Sequence, residues 1–320
     1  MLIPVAIALL AATPDPDFEI APLGDGVWAA LYTITGTAVS NAGIIDLGDQ
    51  TVVIDSFMSP ETSKKLYAKA KELTGHDVTF VALTHRHGDH GFGLGGAPKS
   101  TRVIGTAQQR ADLLAQIPKD IDAELKDEVD ELKENTDKLA AAKTPWEKDE
   151  AQMMVSEVKG YQAALPTLRT PRAPDVLFTD TLEIVGSKRT VTLVDVGAAH
   201  TKSDVFAFVK DAGVVFCGDL LFIGVHPYVR DGDLEGWGKA LARIDALGAK
   251  KLVPGHGKVG GHDDIVHMQQ YFKALNDAVA GVKTIEDAAK VAVPAQFADW
   301  HYRYFWGSDM KATFEKKNKK

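Results

Sequence analysis

The sequence predicts an α/β protein built from two similar halves. Short apolar or alternating runs, punctuated by Gly-Asp turns, fill residues 17–83, and runs of the same kind return over residues 176–222. A charged stretch with helical periodicity, residues 107–170, separates the two regions, and helical patterns follow the strands of each. This order favours two related α/β halves over one parallel, doubly wound sheet.

The first half is predicted to alternate strands with one clear helix. Three strand-rich runs precede it, IAPLGDGVWAALYT, NAGIIDLGD and QTVVIDSF. Residues 60–73 predict a helix, because Ser59 and Pro60 are typical of a helix start and Gly75 of a helix end. Val78–Leu83 and Arg102–Thr106 are predicted as further strands.

The two helical regions are predicted to be an insertion and a C-terminal extension. Residues 107–170 predict a helical hairpin that breaks at Thr144-Pro145, with one packed face and the rest solvated. We interpret it as a surface insertion, with a lid over a site or a dimerisation arm as alternatives. Residues 262–320 predict a helical C-terminal extension. The aromatic run at 297–306 within it is interpreted as packing or as a homodimer contact, with a substrate wall as the alternative.

Composition indicates a globular protein, with 45% hydrophobic and 25% charged residues among 320. The net charge of −8 argues against nucleic acid as a partner and against stable membrane association, because both need a positive surface. Cys217 is the one cysteine, so no intrachain disulfide is possible. Residues 1–16 resemble a signal or leader segment but have no basic residue before the apolar run, so a periplasmic or secreted location and a cytoplasmic one stay equally open.

Four titratable side chains crowd into THRHGDHGFG, Thr84 to Gly93, directly after an apolar strand. His85 and His87 alternate along an extended segment, so both imidazoles can face one direction. Asp89 and His90 follow Gly88, which can turn the chain and aim them at a second point. This density is improbable for a surface turn, and we interpret the string as half of a metal site.

Three more polar side chains stand at strand ends beside glycine. They are His200 in GAAHTKSD, Asp219 in FCGDLLF and His256 in LVPGHGKVGG. Taken singly, each is more typical of an ordinary turn. Together they complete the first string: His200 adds a third imidazole to one cation, His256 adds an imidazole to a second, and Asp219 could bridge the two.

These four motifs, in this order, resemble those of the metallo-β-lactamase-fold hydrolase superfamily over residues 17–261. The resemblance implies a four-layer αβ/βα sandwich with the metals at one edge, in a hydrolase domain spanning residues 17–320. It implies two Zn²⁺ per chain, with iron or manganese less favoured. By motif, one metal is held by His85, His87 and His200, the other by Asp89, His90 and His256, and Asp219 is the bridge.

The expected function is therefore a dinuclear zinc hydrolase acting on a small-molecule ester, thioester, lactone or β-lactam. A metal-bound hydroxide would attack the carbonyl, with Asp89 as the catalytic residue that orients it. The aspartate bridge is more similar to thioesterase (glyoxalase II-like) and lactonase branches than to the zinc β-lactamases that carry a cysteine there. Two alternatives stay open: a non-catalytic metal- or partner-binding protein, and an iron-containing oxidoreductase, although His87 stands where such enzymes have a glutamate.

Supporting residues are predicted around this site. Asp55 in VVIDSF matches a family position that supports a metal-binding histidine, and Asp204 is expected to do the same for His200. His226 and Tyr228 in GVHPYV lie in the loop after Asp219 and are candidates for substrate contact, against the alternative of a structural turn.

Overall fold

The structure, a computed structural model, describes residues 15–318. The leader segment expected over residues 1–16 lies outside the described residues, apart from its last two positions. Within the described range, no helix is both long enough and apolar enough to cross a bilayer.

The described strands form two sheets, of seven and five strands, in the sequence order β1 to β7 and β8 to β12. In the first sheet β1 to β4 pair antiparallel and β4 to β7 parallel, and in the second only β11 and β12 pair parallel. The strands are β1 Phe18–Gly24, β2 Val27–Tyr32, β3 Ala42–Asp46, β4 Thr51–Ile54, β5 Val78–Ala82, β6 Arg102–Gly105, β7 Val176–Leu177, β8 Thr181–Val185, β9 Thr190–Gly197, β10 Asp204–Val209, β11 Val214–Phe222 and β12 Lys251–His256.

The two sheets pack face to face through one apolar core. Ile45 and Val52 from the first sheet belong to the same buried cluster as Leu193 and Phe216 from the second. Gly43 permits the close approach, because a Cβ there would lie 2.5 Å from the Phe216 ring. The inner faces of both sheets therefore form the centre of a sandwich.

Nine α-helices lie outside the sheets within residues 15–318. Helix α1 packs on β3, β4 and β5, whereas α6 and α7 pack on the second sheet. Short 3-10 segments cover Phe92–Gly96, Leu165–Arg169 and Ala295–Phe297. The helices are α1 Pro60–Thr74, α2 Gly88–Gly91, α3 Ala107–Ala115, α4 Ile121–Ala141, α5 Pro145–Ala164, α6 Leu234–Asp245, α7 His262–Ala280, α8 Ile285–Ala288 and α9 Tyr304–Asn318.

Local chemistry sets the helix ends where the sequence predicted them. The Ser59 side chain accepts a hydrogen bond from the Thr62 amide at the start of α1, and Gly75 ends the helix at φ 78°. At α5, Thr144 and Glu147 form a reciprocal capping box. With helices on both outer faces of the two sheets, the predicted four-layer αβ/βα sandwich is confirmed.

The hairpin of α4 and α5 is more deeply packed than a surface insertion. Met153 in α5 belongs to the core cluster beneath α6 and α7, and Ala164 belongs to the cluster beneath α1. Glu150 accepts hydrogen bonds from the amides of Tyr302 and Arg303, at 2.7 and 2.9 Å. These contacts tie the hairpin to both halves of the sandwich and to the C-terminal aromatic run, because its apolar stripe faces inward.

Candidate metal centre

The predicted ligands converge at one edge of the sandwich. His85 and His87 follow β5, and His200 lies in the turn between β9 and β10. Asp219 lies in β11 and His256 ends β12. Strands from both sheets thus supply ligands to one point. The two sheets are joined there by a hydrogen bond that the amide of Val205 donates to the carbonyl oxygen of Thr84, at 2.7 Å.

Two glycines give Asp219 its position. Gly218 has φ +52°, and a Cβ there would lie 2.4 Å from the Thr84 hydroxyl oxygen. A Cβ on Gly255 of β12 would lie 1.8 Å from Oδ1 of Asp219. A side chain at either position would displace the carboxylate or its support, because the clashing atoms belong to the site itself.

One group of ligand atoms comprises three imidazoles and a carboxylate oxygen. Nδ1 of His87 lies 3.1 Å from Nε2 of His85 and 2.9 Å from Nε2 of His200. Oδ2 of Asp219 lies 3.6 Å from Nε2 of His85 and 3.2 Å from Nε2 of His200. Zn²⁺ with tetrahedral bonds of ~2.05 Å places its ligand atoms about 3.3 Å apart, so these spacings fit.

A second group lies beside the first. Oδ2 of Asp89 is 3.3 Å from Nε2 of His90 and 3.1 Å from Nε2 of His256. Oδ1 of Asp219 is 3.1 Å from the same His90 atom and 3.5 Å from the same His256 atom. This arrangement provides two imidazoles and two carboxylate oxygens, with Asp219 shared between the groups.

Two polar atoms of the second group lack the partners that burial demands. Nε2 of His90 and Oδ1 of Asp219 are buried and lie 3.1 Å from each other, but neither makes a well-directed hydrogen bond within the described residues. Buried polar atoms are nearly always satisfied, and an exception calls for a physical cause such as an ion. A cation held by both atoms supplies that cause, so the residues present fit a metal pair.

The electrostatics favour the metal-binding protonation state at the two carboxylates and at two imidazoles of the first group. Burial opposes ionisation of Asp89 and Asp219, yet the surrounding imidazoles hold the pKa of both carboxyls well below the usual range. Burial lowers the pKa of His85 and His87. At the second group the Asp89 and Asp219 carboxylates outweigh the effect of burial, raising the pKa of His90 well above its usual range and that of His256 to about 9. Because metals bind ionised carboxylates and neutral imidazoles, a cation at this group must displace the protons of these two histidines.

Asp55 holds one of the imidazoles by a direct contact. Its carboxylate lies 2.8 Å from Nδ1 of His90 and accepts hydrogen bonds from the amide and hydroxyl of Thr84, each at 2.7 Å. Its backbone is left-handed, with φ 60°. The contact directs Nε2 of His90 towards the second group, as a supporting carboxylate does for a metal-binding histidine.

We expect Asp55→Asn to weaken metal binding about 10–100-fold. The neutral amide has one acceptor oxygen where the carboxylate has two, so it holds the His90 imidazole less firmly. Competition with a chromogenic zinc chelator measures the affinity. Asp180→Asn is the matched control, since Asp180 is also left-handed, with φ 59°, but is exposed. Equal affinities in the two variants would contradict the role of Asp55.

Asp204 differs from its expected role. Its carboxylate accepts hydrogen bonds from the amides of Ala199 and Thr201 and from the Thr201 hydroxyl, at 3.2, 2.8 and 2.8 Å. It makes no hydrogen bond to His200, whose buried Nδ1 has no hydrogen-bond partner among residues 15–318. Asp204 therefore stabilises the turn that carries His200 rather than the imidazole, and burial raises its pKa to about 7.

Sequence reasoning missed Asp231, which supports His87. Its carboxylate lies 3.1 Å from Nε2 of His87 and forms an ion pair with Arg86. The hydrogen bond from His87 lowers the pKa of Asp231 to about 2. The residue follows GVHPYVR in a loop, and no local pattern relates it to a histidine far away in the sequence, so only the fold reveals the pair.

A cavity of about 490 Å³ opens above the two groups. Asp89, Asp219 and His256 line its floor, and Tyr228 lines its wall with its ring 5.8 Å from that of His87. His226 is not at the cavity, which corrects its place among the candidate contacts. It is fully buried with its ring nitrogens 3.0 Å from the Tyr271 hydroxyl and 3.1 Å from the Phe297 carbonyl oxygen, and burial lowers its pKa to about 4.

The remaining walls come from segments interpreted as peripheral. Tyr302, Tyr304 and Phe305 of the aromatic run line the cavity, as do Val158 and Tyr161 of α5. The aromatic run also packs onto the sandwich as expected, because Phe297, Tyr302 and Trp306 belong to the core cluster beneath α6 and α7. The substrate-wall and lid alternatives stay predictions for the residues that line the cavity. By contrast Cys217 is a buried core thiol.

Comparison with known proteins gives a family and a fold. The model of the metallo-β-lactamase superfamily matches residues 35–256. Among similar solved structures, a metallo-β-lactamase from Pontibacter korlensis is 17% identical with a TM-score of 0.57, covering 80% of this chain and 99% of that one. The metallo-β-lactamase FIM-1 from Pseudomonas aeruginosa in its mono-zinc form is 16% identical with a TM-score of 0.57, covering 82% and 97%.

At these identities the solved structures establish the fold alone. The family model matches residues 35–256, which are 222 of the 320 residues of the chain. That span begins between β2 and β3, ends at the last residue of β12 and includes every predicted ligand. The chain belongs to the metallo-β-lactamase superfamily.

Proposed function

We propose that this chain is a hydrolase that holds two zinc ions and cleaves a carbonyl substrate of the ester, thioester, lactone or β-lactam class. One observation carries the proposal: the two oxygens of Asp219 face two separate sets of imidazoles, at 3.1–3.6 Å. A carboxylate in this position suits a pair of neighbouring cations, which is a recurrent hydrolytic arrangement.

In this proposal His85, His87 and His200 hold one ion, Asp89, His90 and His256 hold the other, and Asp219 contacts both. When bound, such ions acidify water to a pKa of about 7 and polarise a carbonyl oxygen.

Among the ligands of the second ion, Asp89 is the one that we assign to contact with the attacking water at the cavity. Its side chain is 16% exposed and lines the cavity, whereas those of Asp219 and His90 are 5% and 0% exposed. A carboxylate at the boundary of the cavity can orient the attacking water and accept its proton. The imidazole contacts of Asp55 and Asp231 keep the floor rigid while this occurs.

The charge of the cavity lining limits the charge of the substrate. Arg86 is the only Lys or Arg among the described lining residues, and it is paired with Asp231. A polyanionic thioester such as a glutathione adduct would find no free cation there, which weighs against a glyoxalase II-like activity. The similar solved structures are metallo-β-lactamases, which is a reason to include a β-lactam among the substrates tested.

Metal removal tests the proposal. We expect a chelator to abolish hydrolysis and zinc to restore it, with two zinc ions per chain by elemental analysis, because the ligands provide two adjoining groups. The substrates are an aryl ester, a thioester, a lactone and nitrocefin, assayed before chelation and after reconstitution.

Two other outcomes would contradict it. Two zinc ions with no turnover of any substrate would favour the non-catalytic metal-binding protein. A coloured preparation with iron as its metal, and redox activity instead of hydrolysis, would favour the oxidoreductase.

A further inference from the structure

The wall of the cavity above the metal centre carries three carboxylates. Glu128 and Glu131 come from α4 and Glu157 from α5. None of the three forms an ion pair with a lysine or arginine of the described residues. These carboxyls therefore have no basic partner in the described part of the chain, and burial raises the pKa of Glu157 to about 7.

Glu128 is the most informative of them. Its side chain is buried, at 8% exposure, and its carboxylate makes no hydrogen bond or ion pair among residues 15–318. Burial and the neighbouring carboxylates of Glu131, Glu124 and Asp127 raise its pKa to about 7. No group of the described chain stabilises the ionised form of this carboxyl, so a cation that enters the cavity can serve as its partner.

The spacing of these carboxylates argues for an organic cation over a metal ion. Within the described residues, only the two groups at the cavity floor bring three or more ligand atoms within 4.8 Å of one another. The glutamates of the hairpin form no such group. The wall therefore offers fewer than three closely spaced ligand atoms, which suits an organic cation better than a metal ion.

Aromatic rings complete the same wall. Tyr302, Tyr304 and Phe305 line the cavity from the C-terminal side, and Tyr161 lines it from α5. The ring of Tyr302 is nearly parallel to that of Phe305, at 29°, and their centroids are 5.6 Å apart. Ring faces beside carboxylates are the usual environment of protein-bound ammonium groups.

We propose that the cavity selects substrates with an ammonium or guanidinium group, bound between Glu128, Glu157 and the aromatic wall, while the carbonyl lies over the metal centre. The inference rests on the proposed hydrolase function for its substrate part only. Binding of a cation to this wall does not require turnover.

Three matched 4-nitrophenyl esters test it on zinc-loaded protein: 4-(trimethylammonio)butanoate, its neutral isostere 5,5-dimethylhexanoate, and the anionic hemiglutarate. We expect kcat/KM to fall in that order, with the cationic ester preferred over the neutral one by at least about tenfold. Glu128→Gln and Glu157→Gln should bring this ratio towards one, mainly through KM. Glu183→Gln, an exposed glutamate of β8, is the matched control and should leave the ratio unchanged.

Binding of benzyltrimethylammonium, measured by calorimetry, separates the two proposals. If no ester is cleaved but this cation binds and Glu128→Gln weakens it at least about tenfold, the hydrolase proposal fails and the cation site stands. If esters are cleaved with the neutral one equal or preferred, the cation site is wrong and the hydrolase stands. Absence of both turnover and binding overturns both, with circular dichroism confirming that each variant is folded.

Discussion

Asp219→Asn is expected to lower kcat/KM by at least about a thousandfold and to leave no more than one metal ion per chain. The substitution preserves the volume of the side chain but replaces one of its two ligand oxygens with an NH₂ group. Since Oδ1 and Oδ2 face different sets of imidazoles, the amide can serve one set only. Elemental analysis and steady-state kinetics with the best substrate of the panel measure the two effects.

Asp46→Asn is the matched control for this change. Asp46 is similarly buried, at 8% against 5% exposure, but it lies at the end of β3 and pairs with Lys188. It should retain both metals and full turnover, with any effect limited to stability. Two metals and normal kinetics in Asp219→Asn would refute the bridging role.

Asp89→Asn is expected to lower kcat by about 10²–10⁴-fold, and this loss should persist at saturating zinc. The amide retains one ligand oxygen, so excess zinc can refill the second group, but an amide cannot accept a proton from water. The experiment therefore measures kcat as a function of added zinc and records metal content at each concentration.

Full recovery of turnover at high zinc would restrict Asp89 to metal binding and contradict its catalytic assignment. Asp77→Asn serves as the control, because Asp77 is an exposed aspartate whose partner is Lys71. It should match the unmodified protein at every zinc concentration.

The order of the polar strand ends was enough to predict most of the candidate centre. His85 and His87 had to lie together because two residues of an extended chain face the same side. His200, Asp219 and His256 each follow an apolar run, and strand ends in α/β folds meet at a common edge. Convergence of these ligands therefore followed from local sequence and a general rule of sheet architecture.

The cavity walls could not be predicted in the same way. Tyr302 and Glu157 lie on helical or irregular segments whose composition is equally typical of surface packing. Their placement depends on long-range contacts, such as the hydrogen bonds that Glu150 accepts from the amides of Tyr302 and Arg303. His226 shows the converse, since a histidine beside the ligand strand in sequence is directed into the core by its bonds to Tyr271 and Phe297.

By itself the sequence determined the α/β class, the two-half organisation, the helix ends and the seven candidate ligands, because strand alternation and capping act over a few residues. Apart from Asp55, which its motif predicted, only the tertiary structure decided which side chains support those ligands and which line the cavity. Asp231 beside His87 and the unpartnered Glu128 above the floor result from packing between distant segments. Such contacts form when helices and loops pack against the sheets, so no short-range pattern of the sequence predicts them.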